Sequence, residues 1–213
     1  MKIDTILFDL DGTLIDTNPI IIASFIYTFK KHTGKTYSMD EVLPFIGPPL
    51  IDSMRAVDAE QAEDMMATYI EHNISNHEKY VKAYPTVLET VKKLHEKEFN
   101  LGIVTTKITD TAKLGLKITG LDAYFDTVIG LTEVENPKPH PEPIFKALDE
   151  LGQKPETSLM IGDNYHDIEA GKNAGTKTAG VAWSIKGRET LEALNPDYML
   201  DKLIDLLEIL EVD

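Results

Sequence analysis

Two carboxylates one residue apart, Asp9 and Asp11, follow the apolar run Ile6-Leu7-Phe8 and lead into Gly12-Thr13. In an extended chain side chains at i and i+2 share a side, so both acids address one small volume. Gly12 lets the backbone turn sharply there or approach a ligand closely. Further along, Thr105, Thr106 and Lys107 close a second apolar run, and Lys138 stands between prolines in Asn136-Pro137-Lys138-Pro139-His140-Pro141. Gly162-Asp163-Asn164-Tyr165-His166-Asp167 then follows Leu159-Met160-Ile161. Carboxylates, hydroxyls and a lysine at the ends of apolar runs are the inventory of a metal-assisted phosphoryl transfer.

That chemistry needs an in-line nucleophile and positive charge around the equatorial phosphoryl oxygens. Asp9, nearest the strand end, is the candidate nucleophile, giving an aspartyl phosphate. Asp11 is the candidate general acid for the leaving group and then the base for water. Mg²⁺, a hard ion that prefers oxygen ligands, suits the carboxylates of Asp9 and Asp163. It would screen Asp9 from the incoming anion and polarise the phosphoryl oxygens. Thr105 can donate to a phosphoryl oxygen, helped by N–H groups at a helix start, and Lys138 adds positive charge in a proline-stiffened loop. Thr106 and Lys107 are further candidate substrate contacts, with Arg55 a weaker one. Gly47-Pro48-Pro49 reads equally as a helix breaker or as a substrate-facing loop. His72 and His77 are five residues apart and do not share a helical face as a metal pair would. His166 reads as a helix-surface residue or a donor behind the site, and Tyr165 and Trp183 as packing residues.

The elements that must position these groups follow from periodicity. A strand is expected over 3–8, then a helix capped by Thr17 or Asn18, with Pro19 in its first turn and Gly34 at its stop. A short helix over 39–45 breaks at Ile46-Gly47-Pro48-Pro49, and a longer one over 60–80 carries the stripe Ala62, Met65, Met66, Tyr69 and Ile70. After Pro85 helices and strands alternate. Val87, Leu88, Val91 and Leu94 make a helix face; strands are expected over 101–105, 127–130, 159–161 and 178–182; helices fall over 110–119, 141–151 and 165–174. Leu203, Leu206, Leu207 and Leu210 stripe a terminal helix. Such alternation implies right-handed crossovers and a parallel sheet. The expected architecture is α/β, a doubly wound Rossmann-like parallel sheet formed by 1–15 and 83–213, with an inserted α-helical cap over 16–82. Ligands of such sheets bind outside the carboxyl ends of the strands, where the singled-out residues fall.

Bulk properties narrow the partners. The net charge of −15 argues against nucleic acid and anionic membranes, both of which attract basic surfaces. A small anionic phosphate substrate would therefore need a locally positive site. The sequence has no cysteine, which excludes disulfides, thiolate metal sites and thiol catalysis. No apolar run approaches the roughly 20 residues that span a bilayer, and no secretory pattern opens at Lys2-Ile3-Asp4, so a cytoplasmic protein is expected. The oligomeric state is left open, a monomer being consistent.

Asp9-Leu10-Asp11-Gly12-Thr13 resembles the first motif of the haloacid dehalogenase superfamily of phosphohydrolases. Thr105 matches its second motif, Lys138 in Lys-Pro-His-Pro its third, and Gly162-Asp163 through Asp167 its fourth. All four occur in order, each beside a predicted strand end. The resemblance implies Asp9 as nucleophile and Asp11 as acid/base through its side chain and metal ligand through its carbonyl. It also implies Asp163 as a metal ligand, Asp167 at or just behind the metal, and the insert as a helical cap. Ile22-Ala23-Ser24-Phe25, Phe45-Ile46-Gly47-Pro48, Leu101 through Lys107 and the run 162–186 are similar to the bacterial pyrophosphatase subgroup, beside the phosphoglycolate phosphatases. That subgroup is associated with removing pyrophosphate released when serine-phosphorylated HPr is dephosphorylated. Thr106 and Ser184 depart from it, standing where similar enzymes often have asparagine and glycine. The expectation is Mg²⁺-dependent hydrolysis of pyrophosphate, with a phosphoglycolate or other small phosphomonoester phosphatase as the alternative. A phosphomutase is disfavoured by the hydrolase form of the fourth motif and a dehalogenase by Asp11. The intact set of acids, Thr105 and Lys138 argues against a catalytically silent binding protein.

Overall fold

The computed structural model describes residues 2–212, with the backbone alone at Glu78. The chain forms two compact units, one of Met1–Asp16 with Lys82–Asp213 and the other of Thr17–Val81.

The second unit is helical: α1 (Asn18–Thr33), α2 (Met39–Val42), α3 (Leu50–Val57) and α4 (Ala62–Tyr80). Helix α1 stops at Gly34, whose φ of +74° suits a residue without Cβ. Thr17 stands at the N-cap position, as one of the two expected residues, but its side chain makes no cap, because it is buried in αR backbone and its Oγ1 meets no partner. The helix expected over 39–45 is α2 followed by a 3-10 turn at Leu43–Phe45, since Pro44 supplies no N–H to an α-helical ladder. Ser38 opens α2 with a capping box, its Oγ accepting from Glu41 N (3.3 Å) while Glu41 Oε2 accepts from Ser38 N (2.9 Å). Helix α3 was not legible, being only eight residues long. The unit closes around aromatic rings, Phe25 against Tyr69 at 4.8 Å and Phe29 against Phe45 at 5.2 Å, together with Met54 and Met65.

In the first unit, β1 (Thr5–Phe8) leads to a two-residue strand β2 (Ile15–Asp16) that pairs antiparallel with β3 (Lys82–Ala83). The chain leaves and re-enters the unit at this ribbon. Then follow α5 (Val87–Glu96), β4 (Asn100–Val104), α6 (Thr109–Thr119), β5 (Thr127–Ile129), α7 (Glu142–Leu151), β6 (Ser158–Gly162) and α8 (Tyr165–Ala174). The chain closes with β7 (Lys177–Val181), α9 (Arg188–Glu192), β8 (Tyr198–Leu200) and α10 (Asp205–Ile209). Six strands form one sheet in the order β5-β4-β1-β6-β7-β8, and every adjacent pair is parallel. The α/β doubly wound class expected from the sequence is the one observed. Strand β8 escaped sequence reading because Tyr198-Met199-Leu200 is too short to show a period.

Both faces of the sheet are covered. Leu7, Val104 and Met160 pack with Ile144, Leu148 and Ala170 of α7 and α8, while Ile6 and Phe8, buried as completely, point to the opposite face. Helix α5 buries Val87, Thr90, Val91 and Leu94, but Leu88 is 45% exposed, so the expected apolar face is narrower by that residue. Phe8 lies opposite Ile103 of β4 and Ile161 of β6. Asp9, Thr105 and Asp163 consequently emerge at one rim, at the ends of three adjacent strands. None of the described helices is long and apolar enough to cross a membrane.

Candidate active site

The turn after β1 is tied back on itself. Leu14 N and Ile15 N both donate to Leu10 O, and Gly12 N donates to Ile15 O (2.9 Å). Gly12 has φ of +84°, and a Cβ built there would lie 2.4 Å from Asp163 Oδ2. Glycine is required twice over, by conformation and by the close approach of a carboxylate. The turns after β1 and β6 are thus in contact, which brings the first and fourth motifs together. Gly162 has a similar function under Asp167, whose Cβ would be 2.2 Å from an added methyl.

Oxygens of Asp9, Asp163 and Asp167 lie within 4.8 Å of one another, and all three residues are buried. Lys138 is 2% exposed and spends its three donors on Asp9 Oδ1 (2.8 Å), Asp167 Oδ1 (2.5 Å) and Val104 O (2.7 Å). The second oxygen of Asp167 accepts from Asn164 N (3.0 Å) at the start of α8. Asp167 therefore serves the helix N-terminus and the lysine at once. One ammonium faces three carboxylates, and the electrostatics record the imbalance. Burial pushes the Asp9 carboxyl up to about 7; Lys138 opposes the shift, and Asp167 and Asp11 add to it. Burial also raises Asp163 well above the usual carboxylate range, reinforced by Asp9 and Asp167. On Lys138 burial acts downward, but Asp167 and Asp9 outweigh it and hold the ammonium above its ordinary value. A buried set of three acids with one internal cation fits a divalent, oxygen-loving ion, which would cancel the surplus charge.

Asp11 lies beside this cluster, its Oδ1 accepting from Lys107 Nζ at 2.9 Å. The lysine expected to touch phosphate is thus paired with the expected acid/base. Thr105 is buried, and its Oγ1 accepts from Lys107 N (3.2 Å), leaving its hydroxyl proton for another acceptor. Thr106 is half-buried in the same turn. Gly47 and Arg55 belong to the helical unit; Gly47 has φ of +113°, and Arg55 Nη1 pairs with Asp52 at 3.4 Å on an exposed surface.

Two expectations for aromatic and histidine residues are corrected. Of the two readings of His166 the helix-surface one fails: the residue is buried, with Nδ1 3.0 Å from Asn164 Oδ1, and burial brings its imidazolium down to about 4. Tyr165 is 45% exposed and lies over the His166 ring at 3.8 Å, because the first turn of α8 projects it outward. Sequence reasoning overlooked Lys186 and assigned Ser184 no contact. Ser184 Oγ donates to Asp163 O at 2.7 Å. Both residues lie just past the end of β7, so the rule that pointed to the other strand ends would have found them.

Residues 6–181 match the haloacid dehalogenase-like hydrolases, with the turn after β1, the Lys138 loop and the acidic turn after β6 inside the matched stretch. The chain belongs to that family. Among its members it is 58% identical over 212 residues to Pyrophosphatase PpaX of Anoxybacillus flavithermus, covering 100% of this chain and 99% of that protein. The protein of the same name from Bacillus velezensis is 52% identical over 208 residues, covering 98% and 96%. Among solved structures, a haloacid dehalogenase-like family hydrolase from Streptococcus pneumoniae superposes with a TM-score of 0.86 at 28% identity over 97% of this chain and 98% of that one. A predicted phosphoglycolate phosphatase from Haemophilus somnus has a TM-score of 0.86 at 26% identity, with 98% of both chains covered. The fold of these solved structures therefore coincides with the parallel sheet seen here.

Proposed function

We propose that the chain is a Mg²⁺-dependent inorganic pyrophosphatase working through an aspartyl phosphate. The observation that carries the chemistry is the buried trio of Asp9, Asp163 and Asp167 bridged by a single lysine. The choice of pyrophosphate rests on relatives of that name, more than half identical along nearly the whole chain.

Asp9 attacks the phosphorus, and the bond to the bridging oxygen breaks. Asp11 gives its proton to the departing phosphate, then takes one from the water that attacks the aspartyl phosphate. Two phosphates leave and both aspartates return to their starting forms. Thr105 and the adjacent backbone N–H groups, with Thr106, hold phosphoryl oxygens. Lys107 keeps Asp11 in place. Lys138 neutralises Asp9 and Asp167 before substrate arrives and keeps its positive charge beside the phosphoryl group during transfer. Asp9 and Asp163, the carbonyl of Asp11 and, directly or through water, Asp167 would hold Mg²⁺. When bound, the ion supplies charge neutralisation and Lewis-acid polarisation of the phosphoryl oxygens. The helical unit, with Gly47 in one of its loops, serves as the cap that excludes solvent and selects the leaving group, consistent with its insertion through the β2–β3 ribbon.

The test is a side-by-side assay of purified protein with Mg²⁺ on pyrophosphate and 2-phosphoglycolate. A kcat/KM for pyrophosphate at least about tenfold the larger is expected. The reverse order would reassign the substrate and keep the mechanism. Release of phosphate from neither of them, nor from any other small ester, would leave a binding protein on a hydrolase fold.

A further inference from the structure

Of the lysines in the loops after β4, β5 and β7, two are already committed. Lys138 bridges Asp9 and Asp167, and Lys107 holds Asp11. The third, Lys186, is half-buried, yet no carboxylate of the described residues lies within 4.0 Å of its Nζ. Its place is fixed from the backbone. Lys186 N donates to Ser184 Oγ (3.2 Å), and the same hydroxyl, itself buried, donates to Asp163 O (2.7 Å). Gly187 N closes the turn on Ser184 O at 3.0 Å. One serine therefore fastens the loop after β7 to the acidic turn after β6 and carries Lys186 with it. Burial lowers the ammonium while Asp163 opposes that shift, and the lysine's charge in turn acts on Asp163 and His166. A cation partly withdrawn from water without an ion partner costs free energy that an arriving anion would recover.

We propose that Lys186 is a specificity-determining residue: it receives the charged phosphate group that is not transferred, and so favours a compact anion with charge at both ends over a monoester with an uncharged leaving group. The inference rests on the phosphohydrolase reading above. Phosphoryl transfer to Asp9 is served by Thr105 and Lys138, whereas Lys186, tied through Ser184 to the Asp163 turn, has no such task and is left to meet the remainder of a short substrate. In a chain of net charge −15 that local cation has to be built in. Ser184 is the positioning residue for the loop.

The experiment compares full-length wild type with Lys186→Met, Lys186→Gln and Lys186→Arg, in Mg²⁺, on pyrophosphate and on p-nitrophenyl phosphate. For Met and Gln the ratio of kcat/KM, pyrophosphate over aryl ester, is expected to fall at least about tenfold, with partial recovery in Arg. Calorimetric binding of imidodiphosphate to the Asp9→Asn protein should weaken by a similar factor when Lys186→Met is added, and binding of inorganic phosphate by less. Equal losses on both substrates would overturn the proposal, because they would place Lys186 in machinery common to both. Wild-type hydrolysis of pyrophosphate with an unchanged ratio in the variants would sink this inference alone. Failure of wild type on both substrates would sink the phosphohydrolase reading beneath it.

Discussion

The interior of the helical unit is filled by Phe25, Phe29, Met54, Met65 and Tyr69, and among its described residues no carboxylate or lysine is buried with them. In the α/β unit Asp9, Lys138, Asp163 and Asp167 are all buried within one cluster. Placing an ion in a protein interior costs several kcal/mol even after relaxation. Among the described residues the α/β unit carries that cost at one rim, where the acids meet a lysine and suit a metal. The helical unit owes its cohesion to apolar contact, which is insensitive to pH and to ions. One unit holds chemistry at the expense of stability, and the other is built for packing.

The largest effect expected from breaking this contrast is on turnover. Asp9→Asn should reduce kcat by about 10⁴-fold or more, since an amide is no nucleophile toward phosphorus. A single-turnover assay with quench would detect any remaining phosphoenzyme, and a loss of less than tenfold would assign the attack elsewhere.

Next come two substitutions of similar size but different character. Lys138→Met leaves Asp9 and Asp167 without their shared cation and should cost about 3–5 kcal/mol in the metal-free protein at neutral pH. Phe25→Ala removes a ring from the helical core and should cost about 3–5 kcal/mol as well. Urea unfolding separates them. The Lys138→Met deficit should shrink with added Mg²⁺ and at pH 5, where the crowded carboxyls accept protons, whereas the Phe25→Ala deficit should stay constant. Identical responses would mean that the cluster's charges are solvated and that the contrast is false.

The smallest effect is a pH dependence with an unusual sign. The Asp9 carboxyl titrates near 7 when folded, against an ordinary value of 3.8, so the folded state holds this proton more tightly than the unfolded one. Its contribution to metal-free stability is therefore present at low pH and is lost as pH rises between those values, on the order of a few kcal/mol. A salt-bridged surface carboxylate would do the opposite. Melting curves of wild type and Asp9→Asn without metal at pH 5 and pH 8 should show wild type losing more on the alkaline side, and Mg²⁺ should restore more stability at pH 8 than at pH 5. Parallel curves would show that Asp9 is ionised across the range.

Much of the fold could be read in advance because its signals are local. Pro19 and Gly34 bound α1, Gly120, Gly152 and Gly175 end α6, α7 and α8, and the short apolar runs of β1, β4 and β6 stop at polar residues. Strand β8 and helices α3 and α9 were missed, for three to eight residues give periodicity too little length to show. Leu88 and Tyr165 were misplaced, and Thr17 lacks its cap bond, because burial, exposure and capping at one position depend on what packs over it.

Sequence alone determined which residue types stand at the strand ends, and hence the kind of chemistry, because a strand end and its turn are short-range matters of hydrophobic run and glycine. Only the tertiary structure decided how those residues divide the work. Lys138 is paired with Asp9 across 129 positions, Lys107 with Asp11 across 96, and Ser184 with the Asp163 carbonyl across 21. Those pairings exist because the parallel sheet sets β4, β1, β6 and β7 side by side in an order that the chain does not follow. A charge's role follows from its neighbours and its access to water, and both are properties of the folded rim.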